Sequence, residues 1–312
     1  MIDLRRLHVL RALAEHGTVT SAAAALHLTP SAVSQQLRQL AREVDAVLLR
    51  PEGRRVRLTQ AAHILLDHAD VLHTQWELAR ADLAAHSGRI AGTLRIAGVS
   101  STIAALVAPA VAGLRTSHPL LRSEILEEES GDCHRLLLAD EVDLAVVLPN
   151  PEMPPVTDPR FEHQPLLDDP QDLLVPDGHP LARRGGVELA EAAGEDWVVK
   201  RHNNDTHPLL IAAATAAGFT PRIAHQVKEW YAVSAMVAEG FGVCLLPRLV
   251  PLPAHHQVIR VPIRGVPKPY RRILTCVRRG GANHPVVATG LAALHTIAGS
   301  LRTDQGAPTG GR

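Results

Sequence analysis

"SAAAALHLTPSAVSQQLRQL", residues 21–40, decides how this 312-residue chain is read. Four consecutive alanines keep one short helix slim enough for a second helix to approach closely, as a tight helix-turn-helix requires. Thr29 offers a side-chain oxygen as an N-cap and Pro30 suits the first helical position, so a new helix is predicted to begin there. On that helix Val33, Leu37 and Leu40 form an apolar stripe at i, i+4 and i+7. Ser31, Ser34, Gln35 and Arg38 repeat at i, i+3, i+4 and i+7, roughly half a turn away. The first stripe anchors the helix; the second carries groups of major-groove reach. Gln can pair with adenine and Arg with guanine, while Ser and the helix N-terminus can hold phosphate. An ordinary amphipathic helix with a solvated polar face has the same pattern, so the flanking segments must choose.

Upstream, "LRRLHVLRALAEH" (4–16) sets Leu4, Leu7, Leu10 and Leu13 at helical spacing, Gly17 stops the helix, and Thr18 caps the alanine-rich one. Downstream, "VLLRPEGRRVRLT" (47–59) reads as two short strands about a Gly53 turn, carrying Arg50, Arg54, Arg55 and Arg57. A basic hairpin after a recognition-type helix is a wing, its arginines suited to phosphates or the minor groove. The candidate DNA-binding residues are therefore Thr18, Thr29, Pro30, Ser31, Ser34, Gln35, Arg38, Arg50, Arg54, Arg55 and Arg57. Residues 1–60 hold nine Arg against five acids, although the whole chain has no formal net charge. That local excess fits a nucleic-acid footprint; a chain-wide preference for Arg over its three Lys accounts for part of it.

A long helix is expected over 59–86, capped by Thr59. Leu58, Ala62, Leu65, Ala69, Leu72, Trp76, Ala79 and Leu83 follow a 4-3 spacing, the signature of a coiled-coil seam for a homodimer. Ile64 and Leu66 widen the stripe, which is what a helix lying on a globular core shows. A dimeric seam would place two recognition helices on two half-sites of a roughly palindromic double-stranded DNA operator.

"VTSAAAALHLTPSAVSQQLRQLAREVDAVLLRPEGRRVRLTQAA" (19–62) resembles the N-terminal domain of LysR-type transcriptional regulators. The alanine-rich helix, the Thr-Pro-Ser-Ala-Val-Ser-Gln-Gln-Leu helix and the GRRVRLT wing before a linker helix carry the resemblance, and it extends through all but the last dozen or so residues. Asp45 falls where the family usually has Gly, which implies a strained turn into the wing. Pro51 falls where it usually has Arg, with Arg50 one position earlier. The resemblance implies a regulator controlled by a small-molecule effector, assembling as a dimer and further to a tetramer, with RNA polymerase a candidate additional partner.

Beyond "GRIAG" (88–92) short apolar runs alternate with helical segments, from "TLRIAGV" to an apolar helix at about 285–301. This pattern means α/β with largely parallel sheets. The Pro-rich stretch 149–160 suggests a crossover between two lobes and 263–270 a return. The expected organisation is a winged helix-turn-helix at 1–58, a linker and dimerisation helix at 59–88, and an effector domain at 91–301. Lobe I would comprise 91–162 with 270–301, lobe II 163–269, and a flexible tail would follow at 302–312. The family's effector domain is periplasmic-binding-protein-like, α+β multidomain in the whole chain, with the ligand between lobes. In open α/β sheets ligands sit beyond the strand C-termini, which selects Ser100, Ser101, Thr102 and Ser130 on one lobe and Lys200, Arg201, His202, Asn203, Val227 and Lys228 on the other. Hydroxyls at helix starts favour an anionic ligand, and simple N-capping explains each of them equally well. In "EGFGVCLLP" (239–247) the glycines allow a close backbone approach, while Gly240 also suits a helix C-cap.

Other chemistries find less support. Cys133, Cys244 and Cys276 are widely spaced and odd in number, without CxxC, which argues against a disulfide framework or zinc cluster and for a reducing compartment. A thiol redox sensor is an alternative that Cys133 and Cys244 invite, but a place on a helix and inside an apolar strand would bury them as inert thiols. His202, Asp205 and His207 lack a repeated partner, so no metal or cofactor is expected. No nucleophile elbow, P-loop or GxGxxG sits at a strand-to-helix turn, so no enzyme is expected; a ligand-binding or enzymatic α/β protein with a helical dimerisation arm is the competing class. No signal peptide and no apolar run of about 18 residues is seen, so the expected location is the cytoplasm.

Overall fold

Thr18 and Thr29, the two residues expected to cap helices, do so in the computed structural model. It describes residues 3–52, 55–86, 88, 90–150, 153–201, 206–265 and 268–306, without the side chains of Leu4, Arg55 and 303–306. The chain divides into two compact units, 1–79 and 80–312.

In the first unit α1 (Leu4–His16) ends on Gly17 at φ 70°, α2 spans Val19–Ala25 and α3 spans Pro30–Glu43. Thr18 Oγ1 accepts the Ser21 N–H at 3.1 Å and Thr29 Oγ1 that of Ala32 at 3.2 Å. Ala22 and Ala23 are buried against Leu7, Leu10, Leu13, Val33, Leu37 and Leu40, so the alanines serve close helix packing as their size requires. The wing follows as β1 (Leu49–Glu52) and β2 (Arg55–Leu58), antiparallel with Leu49 opposite Leu58.

The linker helix α4 spans Gln60–His86. Thr59 caps it, accepting the Ala62 N–H at 3.2 Å while donating to the Val47 carbonyl at 2.6 Å. Arg11 of α1 donates to the Leu66 carbonyl at 3.0 Å and pairs with Asp70, tying α1 to α4. This attachment corrects half of the expected seam. Ala62 is fully buried, and Leu58, Leu65 and Ala69 pack on the unit's own core. Leu72 (50 % exposed), Trp76 (53 %), Ala79 and Leu83 (70 %) remain exposed.

The second unit is a mixed α/β body. β3 (Gly92–Gly98) runs parallel to β4 (Leu121–Glu127) and β5 (Leu144–Val147). Between β3 and β4 lie α5 (Ser100–Thr102), a π-helical turn at Ile103–Val107 and α6 (Ala108–Ser117); α7 (Ser130–Leu138) precedes β5. β6 (Phe161–Pro176) spans 16 residues. The remaining elements are β7 (Asp196–Lys200), α8 (Thr206–Ala216), β8 (Arg222–Val227), α9 (Trp230–Ala238), β9 (Cys244–Pro247), β10 (Val258–Pro262), β11 (Tyr270–Arg278) and α10 (Pro285–Gly306).

Residues 161–170 of β6 pair with β11, which completes the sheet β6-β11-β5-β3-β4 of lobe I, whereas 171–176 pair with β9 and β10 in lobe II. β6 and β11 are antiparallel to their neighbours, so the sheets are mixed rather than largely parallel. The changeover falls at Pro170/Gln171, not at 162/163, and the stretch 149–160 leads back into lobe I instead of crossing. Two prolines lie inside this long strand. Pro165, opposite Leu274, sits beside the register shift between Ile273 and Leu274, and Pro170 lies at the point where the strand changes sheets. Both are places where an N–H is dispensable. In lobe II, β7 and β8 pair in parallel. Gly242, at φ 141°, passes so close to β7 that an added Cβ would lie 2.3 Å from the Asp196 carbonyl oxygen; Gly240, at φ 78°, follows α9 in the C-cap role. Both expected glycine roles are therefore present.

Candidate nucleic-acid interface and effector cleft

Along α3 the burial alternates as the two stripes require. Val33, Leu37 and Leu40 are buried, while Ser31, Gln35 and Arg38 are exposed and Ser34 is half-buried. Thr29 and Pro30 are exposed at the helix start, and Thr29 Oγ1 lies 3.0 Å from Ser31 Oγ. Beside this face a groove of about 710 Å³ separates α3 from the wing, lined among others by Ser34, Arg38, Arg42, Arg50 and Pro51. Arg50 and Arg57 are exposed on the wing, Arg57 4.0 Å from Glu52. Arg54 and the side chain of Arg55 lie outside the described residues. Arg6 and Arg11 pair with Glu43 and Asp70, so these two cations are neutralised within the unit. Thr18, half-buried, is engaged with Ser21.

The effector candidates divide. Ser100 is half-buried at the start of α5. Ser101 is buried and its Oγ accepts from Arg271 at 2.8 Å; Thr102 donates to the Val99 carbonyl at 2.9 Å; Ser130 Oγ accepts the Leu148 N–H at 2.9 Å. All three hydroxyls are thus engaged by the protein itself. On lobe II the Lys200 ammonium lies 5.5 Å from the centre of the Trp230 ring, the Arg201 N–H donates to the Val227 carbonyl at 2.8 Å, and Lys228 is exposed. His202, Asn203 and Asp205 lie outside the described residues.

A cavity of about 230 Å³ does open between the lobes. Leu148 and Pro149 line it from lobe I, Pro208 and Leu209 from lobe II, and Tyr270, Arg271 and Arg272 from the start of β11. Sequence reasoning missed these residues. Arg271 is buried beside it with Nε 2.8 Å from Asp169 Oδ2, and Asp169 Oδ1 accepts the Leu249 N–H at 3.1 Å. One signal was available: in "RRILTCVRR" (271–279) Arg271 shares the strand face of Ile273, so it is a charge on an apolar face.

All three cysteines are buried. Burial pushes the Cys133 thiol up to about 12 and raises those of Cys244 and Cys276 as well. Protonated thiols are poor nucleophiles toward peroxide, which weighs against the redox alternative. Among the described residues no helix is long and apolar enough to cross a membrane.

Comparison with known proteins agrees with this geometry. The family described as the bacterial regulatory helix-turn-helix protein, lysR family, matches residues 4–63, and the LysR substrate binding domain matches residues 87–298. A RuBisCO operon transcriptional regulator of Allochromatium vinosum is 29 % identical over 247 residues, 78 % of this chain and 79 % of that protein. The dual regulator OxyR of Escherichia coli is 27 % identical over 283 residues, 89 % and 90 % of the two chains. A full-length OxyR variant from Pseudomonas aeruginosa shares the fold with TM-score 0.64 at 19 % identity, over 96 % of this chain and 95 % of that one. With both modules matched in order along the chain, this protein belongs to the LysR family of transcriptional regulators.

Proposed function

We propose that the chain binds double-stranded promoter DNA sequence-specifically as a dimer, through α3 and the wing, and adjusts that binding to a small molecule held between the lobes. One observation carries the DNA assignment: a single helix buries Val33, Leu37 and Leu40 while exposing Ser31, Gln35 and Arg38 beside the exposed wing arginines. We assign the ligand site to the 230 Å³ cavity that Arg271 lines, and keep Ser100, Lys200, Arg201, Val227 and Lys228 as candidate contacts at the strand ends and helix start. A ligand alters DNA binding only through unequal affinity for open and closed lobes. Such a regulator works in the cytoplasm, with RNA polymerase as the partner through which promoter occupancy is read.

Mobility shift and salt titration on the DNA upstream of the protein's own gene test this. Arg38→Ala is expected to relax base preference at one position, a loss of about 1–3 kcal/mol on the specific site alone. Arg55→Ala is expected to weaken all sequences alike and reduce the salt slope by about one. Equal losses on specific and random DNA for both variants would reject the role assignment.

A further inference from the structure

Three residues scattered over the sequence meet inside lobe I: His134 on α7, His163 on β6 and Cys276 on β11. Their ligand atoms all lie within 4.8 Å of one another, and the two Nε2 atoms are 3.1 Å apart. The other ring nitrogens are committed. His134 Nδ1 lies 2.8 Å from the Ser130 carbonyl oxygen and His163 Nδ1 3.2 Å from that of Val156. A carbonyl oxygen only accepts, so both Nδ1 atoms carry the proton. In neutral rings each Nε2 is then a lone pair, and the two lone pairs face each other at hydrogen-bond distance. An Nε2 proton on one ring, or a metal ion between the two, resolves that contact.

Burial opposes the proton. His134 is 1 % exposed, so a charged imidazolium there would be poorly solvated. A metal ion suits the same geometry. Histidine ligands ordinarily bind through one nitrogen while the other N–H donates to a carbonyl, which fixes tautomer and ring orientation. Metal–nitrogen bonds of about 2.0–2.1 Å spanning this separation subtend an angle of about 100°, near the tetrahedral value. Cys276 adds sulfur, and two imidazoles with a thiolate select thiophilic d10 cations over Mg²⁺ or Ca²⁺.

We propose that His134, His163 and Cys276 form a site for one thiophilic d10 cation, Zn²⁺ or Cu⁺, which displaces the Cys276 thiol proton to solvent and leaves a coordination position for water. Ser130, which holds the His134 ring through its carbonyl, also accepts the Leu148 N–H through its hydroxyl. Leu148 lines the interlobe cavity, so the metal site lies two hydrogen bonds from it. Sequence spacing concealed the site because its ligands come from a helix and two strands far apart in the chain.

The test uses the full-length, untagged, reduced protein after chelator treatment. Zn²⁺ and Cu⁺ are titrated separately against competing chelators, and Co²⁺ serves as a spectroscopic substitute for Zn²⁺. One ion per chain is expected, with a thiolate-to-cobalt charge-transfer band that Cys276→Ser removes and Cys244→Ser retains. His163→Gln, at a half-exposed position that spares the core, is expected to weaken binding by at least roughly tenfold, the scale on which metal sites respond to altered ligation. Stoichiometric uptake of Cu⁺ but not Zn²⁺ supports the site and assigns its ion. Failure of both ions to bind stoichiometrically, or equal affinity in wild type and a folded His163→Gln, overturns it. So does a histidine Nε2 that remains protonated in ¹⁵N NMR spectra at saturating Zn²⁺ and Cu⁺.

Discussion

Asp45 shows what one side chain costs at a turn. The Ala46 N–H reaches back to the Ala41 carbonyl at 3.1 Å, a closure that puts the intervening residue at positive φ, and Asp45 stands there at 48°. A non-glycine residue in that region gives up roughly 1 kcal/mol. Asp45→Gly is expected to raise stability in urea unfolding by up to about 1 kcal/mol with DNA affinity retained; destabilisation would show that the Asp45 carboxylate makes a contact that matters more than the backbone. Asp169 is the opposite case, a carboxylate buried completely against Arg271. Asp169→Ala strands that guanidinium and is expected to cost about 3–5 kcal/mol, read as a lower urea midpoint; a loss under 1 kcal/mol would mean water reaches the pair. The same pair shows why Ser101 is ambiguous in the linear text. A serine at a helix start looks the same in sequence whether its partner is a ligand or an arginine 170 positions away.

At the scale of elements, α4 is the instructive case. Its heptad pattern is continuous, yet the N-terminal half is consumed by the chain's own core and only the stretch from Leu72 onward is exposed. Periodicity reports which face is apolar and says nothing about what covers it. Trp76→Glu is expected to convert the dimer to monomer in light scattering and weaken operator binding by roughly a hundredfold or more, through lost bivalency; an unchanged dimer would place the seam elsewhere. Between β3 and the start of β5, Arg95 holds Asp143 at 2.7 Å. Burial alone would raise the Asp143 pKa, but the Arg95 hydrogen bonds, with the charges of Arg95 and Arg278, hold it below the ordinary carboxylate value. Its contribution is complete above about pH 4, the unfolded value, and is lost as pH falls through the lower folded one. Asp143→Asn should therefore flatten the decline of Tm below about pH 4, whereas a parallel decline would remove Asp143 from the acid response.

For the whole molecule, local signals and long-range ones part company. Two caps, an alanine run, a polar helix face and a basic hairpin lie within some forty consecutive residues, so the DNA-binding module and its candidate face were legible in the linear text. Helix period and capping are local physics, and they require no knowledge of the rest of the chain. The alternation of strands and helices also announced an α/β effector domain. What only the tertiary structure decided is how distant segments combine: the long antiparallel strand that changes sheets at Pro170, the Arg271–Asp169 pair under the cavity, the half of α4 that the core covers, and the meeting of His134, His163 and Cys276. Each depends on which groups face one another after folding. Burial and pairing arise from contacts between residues far apart in the chain, and sequence spacing carries no measure of them.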